Sequence, residues 1–340
     1  MNDRFALCLP REEFDEKRVA DSIKELQREF SGNSFHLHTY MGVYEIRDRD
    51  EAVSIMVDKA NIAADTIKNN YDCCVAYYDE HLLEISIEQR RLLGEFEPAL
   101  QNDEFVMYLQ PQVKRDGAAK GAEALVRWVH PSRGILTPYA FIDILENAGL
   151  IYKLDLYIWE KAAQKLAEWK EKGYGSYHIS VNISTKDFYI IDIYETFTGL
   201  INKYGIAASN LHLEITETTL MTDFEKNMNI IHKLQDVGFR VEIDDFGSGY
   251  SSLNMLKDIS ADVLKIDMGF LRKSENEVKG QDILESIITL AGKIGMDVIT
   301  EGVETKKQLD MLTMMGCHEF QGYYFSKPVP VSEFEEKYLV

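Results

Sequence analysis

Positive charge is in short supply in this 340-residue chain: 37 Lys and Arg stand against 57 Asp and Glu, a net charge of −20. Binding of DNA or long RNA rests on phosphate neutralisation by cationic side chains, so neither is expected as a partner. Cysteine is scarce as well, at Cys8, Cys73, Cys74 and Cys317. Their spacing matches no zinc pattern and no paired disulfide framework, which favours a reducing compartment. No apolar run approaches the roughly 18 residues needed to span a bilayer, and the N-terminus lacks a signal-peptide core. The chain is therefore expected to be soluble and cytoplasmic, with Met1 open to being a cloning start. Internal repeats and low-complexity tracts are absent too.

What is there is a globular composition, 45% hydrophobic and 28% charged, enough for a large core. The length suits a barrel of about 250 residues plus a smaller unit. From residue 103 onward, short β-prone runs alternate with longer helical patterns. The runs cover residues 105–110, 122–128, 178–183, 211–215, 240–243, 263–266, 297–300 and 319–324. Amphipathic stretches such as 155–172 and 282–294 lie between them. In the second, Ile283, Ile287, Leu290 and Ile294 recur three or four apart, predicting one buried face. Gly173, Gly238, Gly295 and Gly316 each precede a strand, as left-handed helix caps do. Eight strands in strand–helix alternation predict an α/β fold, a (β/α)8 TIM-type barrel over residues 103–340 in preference to a doubly wound sheet. Residues 1–80 read as a small α+β segment, with strands at 5–9, 36–44 and 74–78 and helices at 12–30 and 50–69. Residues 81–102 read as a helical connector.

Acidic and amide residues recur at the ends of the apolar runs. Glu123 sits in AEALVRW, Asn182 closes HISVN and Glu214 lies in LHLEITE; Asp244 and Asp245 close RVEIDD, and Glu301 closes DVITE. Each has a bland reading alone: a strand-end charge, an Asx turn at Asn182, a simple turn at DDFGSG. Lys265, inside VLKID, is harder to dismiss, because a lysine there must bury or thread its stem past the core. Together these residues describe a ring of oxygen ligands at one rim of a barrel, the arrangement that holds hard divalent cations. An acidic protein accepts an anionic phosphate only through such cations. Two adjacent aspartates can serve two cations about 4 Å apart. Lys265 can orient or stabilise a nucleophilic water, and Glu301 is placed to ligate a metal or accept the water's proton. DDFGSGYSSL, residues 244–253, reads as a mobile loop whose backbone can approach a phosphate.

From about residue 95 to the C-terminus, the chain resembles the EAL-domain phosphodiesterases, which hydrolyse cyclic di-GMP to linear pGpG. The naming triplet stands as Glu123-Ala124-Leu125, within an E-x-L-x-R form ending at Arg127. YLQPQ at 108–112, VNIS at 181–184, EITE at 214–217, DDFGSGYSSL, LKID at 264–267, EGVE at 301–304 and QGYYFSKP at 321–328 complete the set in family order. The resemblance implies two Mg²⁺ or Mn²⁺ ions held by Glu123, Asn182, Glu214, Asp244, Asp245 and Glu301. It implies catalytic roles for Glu123, Lys265 and Glu301, with Lys265 on the nucleophilic water. Substrate contacts are implied for Gln110, Leu125, Arg127, Asp267 and Gln321, and a loop-anchoring role for Glu217. It further implies a barrel whose first strand is antiparallel to the rest, and a homodimer formed through the barrel.

Residues 1–80 resemble the second half of a GGDEF (diguanylate cyclase) domain, in DRFALCLP and the later ADTIKNN and CVAYYD. Where the cyclase motif would stand, the chain reads Met1-Asn2-Asp3-Arg4-Phe5. The glycine pair is gone and Arg4 replaces an acidic residue, so no cyclase activity is expected. A preceding region in a longer protein would be free to tether it to a membrane. Two other functions compete with hydrolysis of cyclic di-GMP: a receptor that binds it without turnover, and a barrel hydrolase for another phosphodiester. The intact ring with Lys265 argues against the first, and YLQPQ with QGYYFSKP against the second.

Overall fold

The computed structural model describes residues 4–30, 39–68, 73–247, 259–269 and 277–339. The chain divides into two compact units, Met1–Glu95 and Phe96–Val340. In the first, strands β1 (Met41–Val43) and β2 (Val75–Tyr77) pair in parallel, accompanied by helices Glu16–Phe30 and Val53–Thr66. β1 presses so closely on the second helix that a Cβ on Gly42 would stand 1.8 Å from the Ala60 carbonyl oxygen, which only glycine avoids. The strand expected at 5–9 does not form. Phe5 and Leu7 are 90% and 77% exposed, and no ladder among the described residues includes them. A β-prone run needs a neighbouring strand to pack on, and none is offered there. Of the run expected at 36–44, residues 36–38 lie outside the described part and only Met41–Val43 pairs.

The second unit contains a closed eight-stranded barrel. Its sheet comprises β3 (Phe105–Lys114), β4 (Ala119–His130), β5 (Gly134–Leu136), β6 (His178–Ile183), β7 (Leu211–Thr216), β8 (Val241–Phe246), β9 (Val263–Asp267), β10 (Asp297–Glu301), β11 (Glu319–Phe320) and β12 (Val329–Pro330). The ring runs β3–β4–β6–β7–β8–β9–β10–β11 and closes from β11 back to β3, while β5 and β12 pair antiparallel outside it. The pairings from β4 round to β11 are parallel, and β3 is antiparallel to both of its ring neighbours. The reversal has a local cause. Only residues 115–118 separate β3 from β4, enough for a hairpin and far too few for the crossover that a parallel pair requires.

The expected strand at 319–324 shortens to Glu319–Phe320, and the residues after it leave the ladder and carry Gln321 into the interior. Gly173, Gly238, Gly295 and Gly316 all take positive φ, as their cap positions require. Helix Glu277–Lys293 corrects one reading of periodicity. Its buried face is Leu284, Ile287, Ile288 and Ala291, whereas Ile283 and Ile294 are 49% and 45% exposed. The true stripe starts one residue later, at i, i+3, i+4 and i+7, and runs parallel to the expected one. Among the described residues, no helix is long and apolar enough to cross a membrane.

Candidate active site

Side chains alternate between the two faces of a strand, so in-facing residues of the barrel recur every second position. Asn182 follows Ser180 and His178 inward on β6, Glu214 follows His212 on β7, and Asp244 follows Glu242 on β8. Contacts between non-adjacent strands fix the inward direction. The Lys265 ammonium on β9 lies 2.8 Å from Glu214 Oε2 on β7 and 3.5 Å from Glu123 Oε2 on β4. It also lies 3.2 Å from Asp244 Oδ1 and 2.7 Å from Glu301 Oε1. Four carboxylates from four strands therefore share one cation that is itself fully buried.

The balance of charge is unfavourable to the carboxylates. Burial alone would strip the Lys265 proton, but Asp244, Glu123, Glu214 and Glu301 overrule it and hold the ammonium well above its usual range. One ammonium cannot serve every carboxylate. Burial pushes the Glu214 carboxyl well up, aided by repulsion from Glu123 and only partly opposed by Lys265. Glu301 rises to about 8, again chiefly through burial, with Lys265 opposing and Asp244 and Glu123 adding repulsion. Asp245 is raised by partial burial and by Asp244 and Asp267. Glu214 Oε1 is buried without a hydrogen-bond partner. An all-oxygen set with surplus negative charge and an orphaned buried oxygen fits a hard divalent cation.

Two amides steady Glu123. Asn182 donates to its Oε1 at 3.2 Å, and Gln321 donates to its Oε2 and, at 3.3 Å, to Gln110 Oε1. Gly322 makes Gln321's place tenable, since a Cβ there would meet the Val303 carbonyl oxygen at 2.2 Å. Gly322→Ala must move that backbone, at about 1–3 kcal/mol, and should lower Tm by several degrees in a thermal melt while displacing Gln321. An unchanged Tm and activity would mean that the backbone yields freely there.

The other expected residues are dispersed round this centre. Asp267 ends β9 in register with Glu301 and accepts from the Gly269 amide at 2.7 Å. Asp245 takes φ of +56° inside β8, where the register with β9 shifts between Ile243 and Phe246. Arg127 and Leu125 are half-buried on β4; the Arg127 guanidinium lies 5.5 Å from the Tyr108 ring centre and donates to Val126 O. Glu217 opens helix Glu217–Thr222, whose preceding Thr216 caps it through the Thr219 amide. Most of the loop that Glu217 was expected to anchor, from residue 248 on, lies outside the described residues.

A second polar layer sits beneath the carboxylates, and it was not singled out from sequence. His178 Nε2 meets Gln112 Oε1 at 2.7 Å, His212 Nδ1 meets Glu242 Oε1 at 2.6 Å, and Ser180 donates to Glu242 Oε1 at 3.2 Å. Burial would raise the Glu242 carboxyl, but His212, Lys265 and His178 outweigh it and bring it down to about 2. Burial and His212 push the His178 imidazole well below its usual range. His178, His212 and Glu242 offer donor atoms within 4.8 Å of one another. The two rings, however, stack at 3.8 Å with planes 4° apart, so their lone pairs lie in two separate parallel planes and one ion cannot lie in both. The layer is a hydrogen-bonded floor. Its sequence signal was the same alternation: His212 two before Glu214, Glu242 two before Asp244, Ser180 two before Asn182.

Fold and site together define a TIM-type barrel with a reversed first strand and a carboxylate–lysine centre at the strand ends. The chain belongs to the EAL domain family, whose model matches residues 94–328. It is 32% identical over 272 residues to the bifunctional diguanylate cyclase/cyclic di-GMP phosphodiesterase MucR of Pseudomonas aeruginosa, covering 80% of this chain and 39% of that protein. It is 33% identical over 240 residues to the cyclic di-GMP phosphodiesterase PdeR of Escherichia coli, covering 71% of this chain and 36% of that protein. The chain thus spans less than half the length of these relatives. Among solved structures, a MucR phosphodiesterase in complex with c-di-GMP superposes with a TM-score of 0.68 at 33% identity, over 72% of this chain and 99% of that one.

Proposed function

We propose that the barrel is a metal-dependent phosphodiesterase that hydrolyses cyclic di-GMP to linear pGpG. The observation that carries this reading is the convergence of Glu123, Glu214, Asp244 and Glu301 on the buried Lys265. Glu123, Asn182, Glu214, Asp244, Asp245 and Glu301 would hold two Mg²⁺ or Mn²⁺ ions, which when bound supply Lewis acidity and an activated water. Lys265 offsets the negative charge that grows on the phosphoryl oxygens as water adds to phosphorus and one P–O bond to a ribose breaks. Glu301, at the end of β10, would ligate a metal or accept the water's proton. Asn182 and Gln321 keep Glu123 from rotating out of the ring. Gln110, Leu125, Arg127, Asp267 and Gln321 would hold the dinucleotide, Glu217 would anchor the 244–253 loop, and two barrels would pair as a homodimer.

Incubation of the purified chain with cyclic di-GMP and Mg²⁺, with and without EDTA, tests the reading by nucleotide chromatography. Linear pGpG formed only without chelator is the expected result. Binding without product would select the receptor function, and cleavage of other phosphodiesters alone would select a different hydrolase.

We read residues 1–80 as part of a degenerate GGDEF-like segment. GTP with Mg²⁺ should therefore yield no cyclic di-GMP from this chain. Detecting that product, with contaminating enzyme excluded, would overturn the degenerate reading.

A further inference from the structure

β6 and β7 end their ladder side by side. Asn182 pairs with Glu214, and the last rung above them is Ile183 with Ile215. Beyond that rung the two chains part, one into the turn at residues 184–186, the other into helix Glu217–Thr222. The last rung of a ladder has a neighbour on one side only, and such ends open most readily. Both proposed ligands therefore stand next to an end that needs holding.

Three threonines carry the connection past it. Thr185 Oγ1 lies 2.7 Å from Thr219 Oγ1, which in turn lies 2.9 Å from Thr216 Oγ1. Thr185 follows β6, Thr216 closes β7, and Thr219, only 1% exposed, bridges them. A threonine hydroxyl has one proton and two lone pairs, so Thr219 can give to one neighbour while accepting from the other. Its main chain is fixed as well. The Thr219 amide donates to Thr216 Oγ1 at 3.3 Å. Asn227, buried on helix Phe224–Val237, donates through Nδ2 to the Thr219 carbonyl oxygen at 2.9 Å. The bridging hydroxyl is thus mounted on a backbone held from two sides.

We propose that Thr219 is a positioning residue, whose hydroxyl ties the chain after Asn182 to the chain after Glu214 and so sets the spacing of two metal ligands. That Asn182 and Glu214 hold metal rests on the function proposed above; the tie itself does not. The effect reaches one residue further, because Asn182 donates to Glu123 Oε1 at 3.2 Å. A role confined to capping helix Glu217–Thr222 would lie in the Thr219 amide, which any side chain at that position leaves in place. Without the hydroxyl, β6 and β7 stay paired but their ends move apart, and a metal site binds well only when its ligands are held in place beforehand.

The test uses the full chain with Thr219→Val, Thr219→Ser, Thr185→Val and the double variant Thr185→Val/Thr219→Val. Valine keeps the shape and removes the hydroxyl; serine keeps the hydroxyl. Calorimetric titration of Thr219→Val with Mn²⁺ should show about tenfold weaker binding, the lower end of what loss of an outer partner of a ligand costs. Thr219→Ser should bind as wild type does. Thr185→Val breaks the same bridge from its other end, so it should match Thr219→Val, and the double variant should bind no more weakly than either. In turnover, kcat should fall with KM little changed. In divalent-free buffer, hydrogen exchange at the amides of residues 183–185 and 215–217 should be faster in Thr219→Val than in wild type.

A folded Thr219→Val with wild-type Mn²⁺ affinity overturns the proposal. So does a Thr219→Ser that binds as weakly as the valine variant, or losses at 185 and 219 that simply add. If Thr219→Val does not fold, Thr185→Val against wild type decides by the same readouts, since it leaves the helix cap untouched. Exchange is read without metal or turnover. Unchanged exchange overturns the tie, whereas faster exchange in a chain that forms no pGpG would keep the tie and sink the phosphodiesterase reading.

Discussion

Lys265→Met is expected to make this protein dependent on divalent ions for its stability as well as for turnover. Methionine keeps most of the stem's volume in a fully buried position and removes only the charge. Glu123, Glu214, Asp244 and Glu301 are then left facing one another with no counter-charge. Breaking a buried ion pair by deleting one partner costs about 3–5 kcal/mol, which for a unit of this size is on the order of 10 °C in Tm. In divalent-free buffer the loss should shrink as pH falls, because protonated carboxylates no longer repel. Saturating Mg²⁺ should restore more Tm to the variant than to wild type, since a divalent ion replaces the missing charge. Turnover should not be restored with it: kcat is expected to fall by about 10²–10³-fold with KM little changed, as for a group that acts where charge develops. A large rise in KM with kcat kept would make Lys265 a substrate clamp. An unchanged divalent-free Tm would mean that the carboxylates find their own compensation.

The same balance governs the wild type. Glu301 titrates at about 8 in the folded chain against an ordinary carboxylate value when unfolded, so its contribution is complete at acid pH and lost as pH rises through about 8. Without divalent ions, Tm should decline over that interval, and Mg²⁺ should flatten the decline. A divalent-free profile that rises toward alkaline pH would contradict the raised carboxyls.

Glu123→Ala should abolish hydrolysis with little loss of fold. Glu123 is the residue on which Asn182, Gln321 and Lys265 all converge, so its removal frees two amides and unbalances the ammonium at once. Removing an outer partner of a metal ligand already costs 10–100-fold; losing the carboxylate itself should exceed about 100-fold in kcat and weaken Mn²⁺ binding measurably. Stability should hold or improve in divalent-free buffer, because one of four mutually repelling carboxylates is gone. A folded variant that turns over near the wild-type rate would remove Glu123 from the metal site and with it the proposed arrangement.

Much of this was legible in the chain alone. In-facing Glu, Asn, Asp and Lys interrupt runs that otherwise read as barrel strands, and each interruption is local, visible within five or six residues. The floor of His178, His212, Ser180 and Glu242 obeys the same two-residue rhythm, but a second polar residue per strand looks like ordinary strand polarity until the ring is closed. Two errors had a common cause. Ile283 and Ile294 were assigned to the buried stripe, and residues 5–9 to a strand, because periodicity names a candidate face or edge and says nothing of what lies opposite.

The sequence by itself determined the eight strands and which residue types stand at the strand ends. These depend on short-range rules: side-chain alternation and glycine caps. The reversal of the first strand came only from the family resemblance, and the four-residue hairpin behind it became visible when the structure set the ends of β3 and β4. Only the tertiary structure decided that one lysine serves four carboxylates and that two amides lock Glu123. Those pairings join residues 59 apart for Asn182 and Glu123 and 198 apart for Gln321 and Glu123. They arise when ring closure fixes which strands face each other across the interior, and burial then turns each separation of charge into a shifted proton affinity.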